Sequence, residues 1–391
     1  MKNKLVNSPR TPIYRDSGFE LHDADTTAKA FANETINERE PDLYIYSRYR
    51  NPTVISTEDQ ILKLEKCEWA LLTQSGMSAI DTAVSVFQYG KSTLPMLFFS
   101  EIYGGTISYA DSILKKRRDI EVHNFSAVDG TYNLTNFEEL IKSVKPVFVY
   151  IETISNPMLI VSDVVKIIEI AKKYGSKVIV DNTFSTPYLF RPLDFGADIV
   201  VHSATKYFSG HGNLTAGVIC GNDRQIMQSA IEYRKLIGHM ISPDDAYRLQ
   251  TQLQTFELRF VRQCQNASSL AEILNKNKNI EKVYYPGLTS HTTHNEAVKL
   301  FGNKGFGAMI TFDFNGTDKS EKRKRRDKFI SEVSEKIKLI PTLGDPHTIL
   351  MPVEAVWGAK YPEPGMIRLS VGYEAFKELE ITVNRALDSI R

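Results

Sequence analysis

Between about residue 54 and residue 202 short apolar runs alternate with longer segments of helical spacing, and this constrains the fold more than any other feature. The runs are Trp69–Leu72, Leu94–Phe99, Pro146–Ile151, Lys177–Val180 and Ile199–His202. Helically spaced stretches separate several of them, notably Met77–Phe87 and Asp163–Lys173, and another covers Val54 to about Lys66. Ser162 is a candidate N-cap for the segment at 163. Buried strands alternating with helices predict an α/β domain around a mostly parallel sheet. Such sheets bind ligands beyond the carboxyl ends of their strands, which is where chemistry is to be sought.

The rest of the chain reads differently. Residues 1–55 are polar and turn-forming, with Asn51-Pro52 near their end, and predict an extended arm rather than a core. Beyond about residue 245 a polar helix from Pro243 to about Leu274 precedes strands near Lys282–Tyr285, Phe306–Phe314 and Met366–Val371. Helices are expected at Asp327–Ile337 and Phe376–Ser389. This predicts a smaller α+β domain. A length of 391 residues suits such a division, into an arm (1–55), a larger domain (56–248) and a smaller one (249–391).

Composition excludes several function classes. A net charge of +1 provides no overall field toward nucleic acid or a membrane surface. The basic run Lys322–Arg326 lies between Glu321 and Asp327 and reads as a solvated helix face. Cys67, Cys220 and Cys264 form no CxxC pair, which predicts a reducing compartment, and Cys220 sits in the apolar run Ala216–Cys220. Met1–Arg10 lacks the apolar stretch of a signal peptide, and no run of about 18 apolar residues occurs. A cytoplasmic protein is expected. His291-x-x-His294 has no cysteine nearby and is not a usual zinc spacing, so no metal is expected.

Three segments carry chemistry. His202-Ser203-Ala204-Thr205-Lys206 follows the apolar run Ile199–Val201. A lysine just beyond a buried strand can project into a crevice, and partial burial frees its amine for Schiff-base chemistry. A surface loop with a capping serine is the plain alternative. Asp181 ends the run Val178–Val180, where a carboxylate can support a pyridinium nitrogen or cap a turn. Ser75-Gly76-Met77 stands where a strand gives way to a helix, and free amides at a helix start bind phosphate.

Together with these, Tyr46-Ser47-Arg48-Tyr49-Arg50-Asn51-Pro52-Thr53, Tyr103-Gly104-Gly105-Thr106, Glu152-Thr153-Ile154-Ser155-Asn156-Pro157, Tyr284–Leu288 and Ile367–Gly372 occur in one order along nearly the whole chain. In this the sequence resembles the Cys/Met-metabolism family of pyridoxal-phosphate enzymes, which includes cystathionine γ-synthase, cystathionine γ-lyase and methionine γ-lyase. The resemblance implies the fold-type I transferase architecture, with a seven-stranded type of large-domain sheet, and pyridoxal 5′-phosphate as cofactor. It implies that Lys206 carries the cofactor as a Schiff base and Asp181 holds its pyridine nitrogen. Tyr103 is to stack on the ring and protonate the leaving group. Ser75, Gly76, Met77, Ser203 and Thr205 are to bind the phosphate, and Asn156 is to neighbour the ring hydroxyl. Tyr46 and Arg48 are to reach the phosphate in a neighbouring subunit, which implies a homo-oligomer, expected to be a tetramer. Arg368 is to bind the substrate carboxylate, with Thr342 and Asn156 beside it.

The sequence departs from the family pattern at named positions. Arg50 replaces a usual glycine and would add charge near the intersubunit phosphate site. Asn213 stands where an aspartate is usual, and Thr251 and Gln254 replace basic residues. Pro341 occupies the place of a glutamate that suits the distal amino group of cystathionine, and the stretch from His347 to Gly358 is atypical. The resemblance therefore implies γ-elimination or γ-replacement on a homoserine-, homocysteine- or methionine-type amino acid. β-Elimination from cysteine or cystathionine, a fold-type I aminotransferase and a non-catalytic cofactor binder are the other readings.

Overall fold

The structure is a computed structural model that describes residues 10–34, 40–88 and 94–390. Among these, seven strands form one sheet: β1 (Trp69–Thr73), β2 (Met96–Phe99), β3 (Val122–Phe125), β4 (Phe148–Glu152), β5 (Lys177–Asp181), β6 (Ile199–Ser203) and β7 (Gly217–Gly221). Their order is β1-β7-β6-β5-β4-β2-β3. The run β6-β5-β4-β2-β3 is parallel throughout, while β7 lies antiparallel to both β6 and β1. Every residue of β1, β2, β4 and β7 is buried, as expected of strands covered on both faces. The fold is the α/β one that the alternating pattern implies.

A second sheet holds β8 (Ile280–Tyr284), β9 (Met309–Phe314), β10 (Lys338–Leu339), β11 (Ile349–Pro352) and β12 (Ile367–Ser370), in the order β10-β11-β12-β9-β8. It packs its own apolar layer, which includes Leu270, Phe312, Phe329 and Leu369. The larger core surrounds the first sheet and includes Trp69, Phe98, Tyr150 and Val200.

Several elements differ from the sequence reading. Residues 24–33 of the expected extended arm form a helix, capped by the Asp23 carboxylate on the Thr26 amide at 2.6 Å. Only Ala30 of it is buried, so no apolar stripe marks it. The segment at 163 is capped by Asp163, whose side chain accepts from the Lys166 amide at 3.0 Å, and not by Ser162. The long polar helix is two, Pro243–Leu253 and Phe256–Lys276. Arg259 breaks it, because its guanidinium takes the Gln252 carbonyl at 3.0 Å and also holds those of Tyr207 and Phe208. The basic run lies in the helix Lys319–Val333, which starts and ends earlier than 327–337. Its face is less solvated than expected: Lys322 is paired with Asp313 at 2.7 Å, and Arg323 and Arg326 both reach Glu354.

β3, β7, β10 and β11 lie outside the runs singled out as strands: β3 and β10 are only partly apolar, and β7 was marked only as the apolar run around Cys220. Among the described residues no helix is long and apolar enough to cross a membrane.

Candidate active site

β5 and β6 are parallel neighbours in register, with Asp181 opposite Val201. Their carboxyl ends therefore place Asp181 and, one turn beyond β6, Lys206 at the same edge of the sheet. There they line a cavity of about 570 Å³ that reaches across to Thr342 and Arg368 of the second sheet's side. Asp181, Lys206 and Arg368, three charged residues expected from the sequence to act together, thus share one cavity.

The Lys206 amine donates to the Thr342 hydroxyl at 2.8 Å. Burial, and then the Arg368 charge, lower its pKa to about 8 against the opposing Asp345 carboxylate. A free amine is thereby available near neutral pH, which nucleophilic attack on a carbonyl requires. Gly344 (φ +83°) lets the chain pass close to this lysine: a Cβ there would lie 2.8 Å from the Lys206 carbonyl carbon.

Asp181 is buried. One carboxylate oxygen accepts from the Thr183 amide (3.0 Å) and hydroxyl (2.6 Å), the other from the Tyr150 hydroxyl at 3.1 Å. Burial raises its pKa, and these hydrogen bonds oppose the rise. A buried carboxylate held by neutral donors favours a cationic partner. Glu152, its register partner at the end of β4, was quoted in a motif but given no role by the sequence reading. Its carboxylate accepts from the Tyr103 amide at 2.6 Å and its pKa is raised well above the ordinary value, by burial and then by Asp181. Its position at a strand's carboxyl end, like that of Asp181, is the signal that would have found it.

The helix Gly76–Ser85 begins directly after β1 and its turn. Ser75 caps it, accepting from the Ser78 amide at 3.1 Å and leaving the first amides free. Gly76 faces Ser203 so closely that a Cβ would lie 2.9 Å from the Ser203 Cβ. Thr205 holds the Ala216 amide at 3.0 Å, fixing the turn between β6 and Lys206. Ser75, Gly76, Met77, Ser203 and Thr205 form one side of the cavity, a cup of free amides and hydroxyls suited to an oxyanion.

On the opposite side Arg368 lies on β12 between Met351 and Thr311. Its guanidinium donates to the Asn156 side-chain oxygen at 2.9 Å and to the Thr342 carbonyl at 3.2 Å, and its Nε is buried without a partner. Burial lowers its pKa to about 10, so it stays charged. The Trp357 ring, absent from the sequence reading, lies 5.4 Å from this guanidinium. Tyr103 stands at the start of the helix Gly104–Tyr109, is 49 % exposed and lines the cavity.

Tyr46 and Arg48 do not line this chain's cavity. Arg48 donates to the Lys235 carbonyl at 2.6 Å and packs on the rings of Tyr46 and Tyr49. Arg50 is buried 3.9 Å from Glu58, which also binds Arg234 at 2.7 Å. Asn213 accepts from Gln252 at 2.9 Å, and the Thr251 hydroxyl donates to its own helix. His294 donates to the Pro286 carbonyl at 2.9 Å, and His291 is buried, which lowers its pKa to about 4. Among the described residues no group of three His, Cys, Asp or Glu side chains could hold a metal ion.

These residues fit pyridoxal phosphate. The amine near neutrality suits its aldehyde, the buried carboxylate its ring nitrogen, and the cup narrowed by Gly76 its phosphate. A model of the family described as Cys/Met metabolism PLP-dependent enzyme matches residues 1–388. An L-methionine gamma-lyase of Fusobacterium nucleatum subsp. polymorphum is 35 % identical, over 100 % of this chain and 96 % of that protein. A cystathionine beta-lyase of Lactococcus lactis subsp. cremoris (strain MG1363) is 34 % identical, over 89 % of this chain and 90 % of the other. Among solved structures, cystathionine gamma synthase from Xanthomonas oryzae pv. oryzae, in complex with aminoacrylate and cysteine, superposes with a TM-score of 0.83. It is 28 % identical, over 97 % of this chain and 92 % of that one.

Proposed function

We propose a specific reaction for this chain, which belongs to the Cys/Met-metabolism family of pyridoxal-phosphate-dependent enzymes and acts on sulfur amino acids: it removes or replaces the γ substituent of a methionine-, homocysteine- or homoserine-type amino acid. The observation that carries this reading is the pairing, across one cavity, of the Lys206 amine with the buried fork of Arg368 through Thr342.

The arrangement supports a set of residue roles. Lys206 would hold the cofactor covalently, Asp181 would hold its ring nitrogen and keep it protonated, and Tyr103 would lie against its ring. Ser75, Gly76, Met77, Ser203 and Thr205 would hold its phosphate, and Asn156 would neighbour its hydroxyl. When bound, the cofactor supplies an electron sink that acidifies the Cα–H and Cβ–H bonds of the amino acid. Arg368 binds the α-carboxylate with its planar fork, aided by Asn156 and Thr342. The carboxylate so fixed turns the Cα–H toward Lys206, whose amine, released from the cofactor when the substrate amine takes its place, takes the proton and later returns one. The Lys206 amine, neutral again once it has returned the first proton, takes a second from Cβ. The Tyr103 hydroxyl delivers a proton to the departing γ sulfur or oxygen. In the absence of a thiol, water completes the reaction to a 2-oxo acid, ammonia and the released thiol; with a thiol, a new Cγ–S bond forms.

Pro341, beside Thr342, has no carboxylate to meet a distal ammonium, which favours a small substrate over cystathionine. Tyr46 and Arg48 complete the phosphate site of a neighbouring subunit in a homotetramer. This reading includes the division into an arm (1–55), a cofactor domain (56–248) and a C-terminal domain (249–391), and a cytoplasmic location. The test is product analysis of the cofactor-loaded protein with methionine, O-acetylhomoserine, cystathionine and cysteine, each with and without a thiol. Release of 2-oxobutyrate and ammonia from methionine, or of a thioether amino acid from O-acetylhomoserine plus thiol, supports it. Turnover of cysteine or cystathionine alone, to pyruvate, defeats it in favour of β-elimination.

A further inference from the structure

We propose that Trp357 determines specificity: with Met351 and Val356 it forms an uncharged wall that admits a short thioether side chain and rejects one ending in a distal ammonium and carboxylate. The inference rests on the function proposed above and names the substrate class of that same site.

Arg368 fixes where the substrate begins, because its fork is buried and held by Asn156 and by the Thr342 carbonyl. Met351 is its direct register partner on β11, and the Trp357 ring covers the guanidinium at 5.4 Å. Both line the cavity, together with Val356 at its open edge. A substrate held by its α-carboxylate therefore runs beneath an indole, a thioether and an isopropyl group. None of the three carries a charge, and beyond the single indole N–H they offer no strong hydrogen-bonding group to a zwitterionic end, so desolvating two charges against them is unfavourable. A methylthio group loses nothing there, since sulfur packs well on an aromatic ring.

The wall is also fixed in place. Trp357 belongs to a segment of the second sheet's side that is tied to the first. The Lys360 amine donates to the Ser100 carbonyl at 2.7 Å, and the Tyr361 hydroxyl bonds the Glu101 carboxylate. Tyr361 packs edge-on against the indole at 6.4 Å. The anchor, Ser100-Glu101, lies just before Tyr103, so the indole and the tyrosine are set by one strap. Trp357 itself falls within the stretch, His347 to Gly358, where the sequence departs from its family.

The test uses the cofactor-loaded protein, Trp357→Ala and Trp357→Phe. It measures kcat/KM for methionine and for cystathionine, and calorimetric binding of norleucine, which has no leaving group. Wild type is expected to favour methionine. Trp357→Ala should weaken norleucine binding about tenfold and shrink the methionine-to-cystathionine ratio by a similar factor, as expected for a lost aromatic contact. The change should fall on KM more than on kcat, and Trp357→Phe should recover most of it. An unchanged ratio and unchanged norleucine affinity in Trp357→Ala would overturn the proposal, as would a wild-type preference for cystathionine. If no γ-substituted substrate turns over, the function proposed above fails. Norleucine binding then still decides whether Trp357 forms the wall.

Discussion

The Lys206 amine and the Thr342 hydroxyl stand 2.8 Å apart although one follows a strand of the first sheet and the other precedes a strand of the second. The reactive amine is thus held by a residue 136 positions later in the chain. Removing the amine gives the most direct check. Lys206→Ala should bind the cofactor without a covalent link, so borohydride followed by intact-mass measurement should show the adduct in wild type and none in the variant. An adduct on the variant would refute the assignment.

The same amine sets a pH dependence. Burial lowers its pKa to about 8, so below that pH the ammonium lacks the lone pair needed to attack an aldehyde. The rate of covalent cofactor capture by the cofactor-free protein should rise as pH increases through about 8 and then level off. A rate that falls over this range would contradict the assignment.

Asp181 should be needed for turnover rather than for folding. Asp181→Asn keeps the shape and the hydrogen bond from Thr183 but removes the charge that pairs with the ring nitrogen. Breaking a buried charge pair costs about 3 kcal/mol or more, so kcat should fall at least about a hundredfold. Far-ultraviolet circular dichroism should stay unchanged. A kcat within threefold of wild type would sink this role.

Arg368→Lys separates charge from geometry. The ammonium keeps the charge but loses the planar fork that meets two carboxylate oxygens. KM for any amino-acid substrate should rise by about tenfold to a hundredfold. Cofactor content, read by absorbance, should not change.

Stability is tested far from the chemistry. Glu58 is buried between Arg234 and Arg50 and also accepts the Leu72 amide at 2.8 Å. Glu58→Ala would leave two guanidinium groups buried beside a cavity. A loss of about 3–5 kcal/mol is expected, read as a lowered midpoint in thermal or urea unfolding. An unchanged midpoint would mean that water or another acceptor replaces the carboxylate.

What the sequence shows of this site depends on how local each signal is. Lys206 and the Ser75-Gly76 turn stand just after an apolar strand and Asp181 ends one, so one window of sequence shows both the element and its candidate function. Arg368 was legible only through its surrounding motif, since an arginine in a strand says nothing of where its fork points. Trp357 and Glu152 were missed for opposite reasons. Glu152 ends a strand as Asp181 does but sat in a motif read for its asparagine. Trp357 reaches the cavity only because Lys360 and Tyr361 bind across to Ser100 and Glu101, a contact no local pattern encodes. The break at Gln254-Thr255 was hidden likewise, because the cause is the fold of Arg259 onto distant carbonyls.

The distance in sequence between Lys206 and Thr342 also orders events during synthesis. A ribosome adds about 5–20 residues per second, so the 136 residues between them take roughly seven to twenty-seven seconds to emerge. Through that interval the growing chain already carries the phosphate cup, Asp181 and the lysine, yet lacks the arginine that would grip an amino acid. The grip proposed for the substrate is thus the last part of the site to be made, long after the residues proposed for the cofactor.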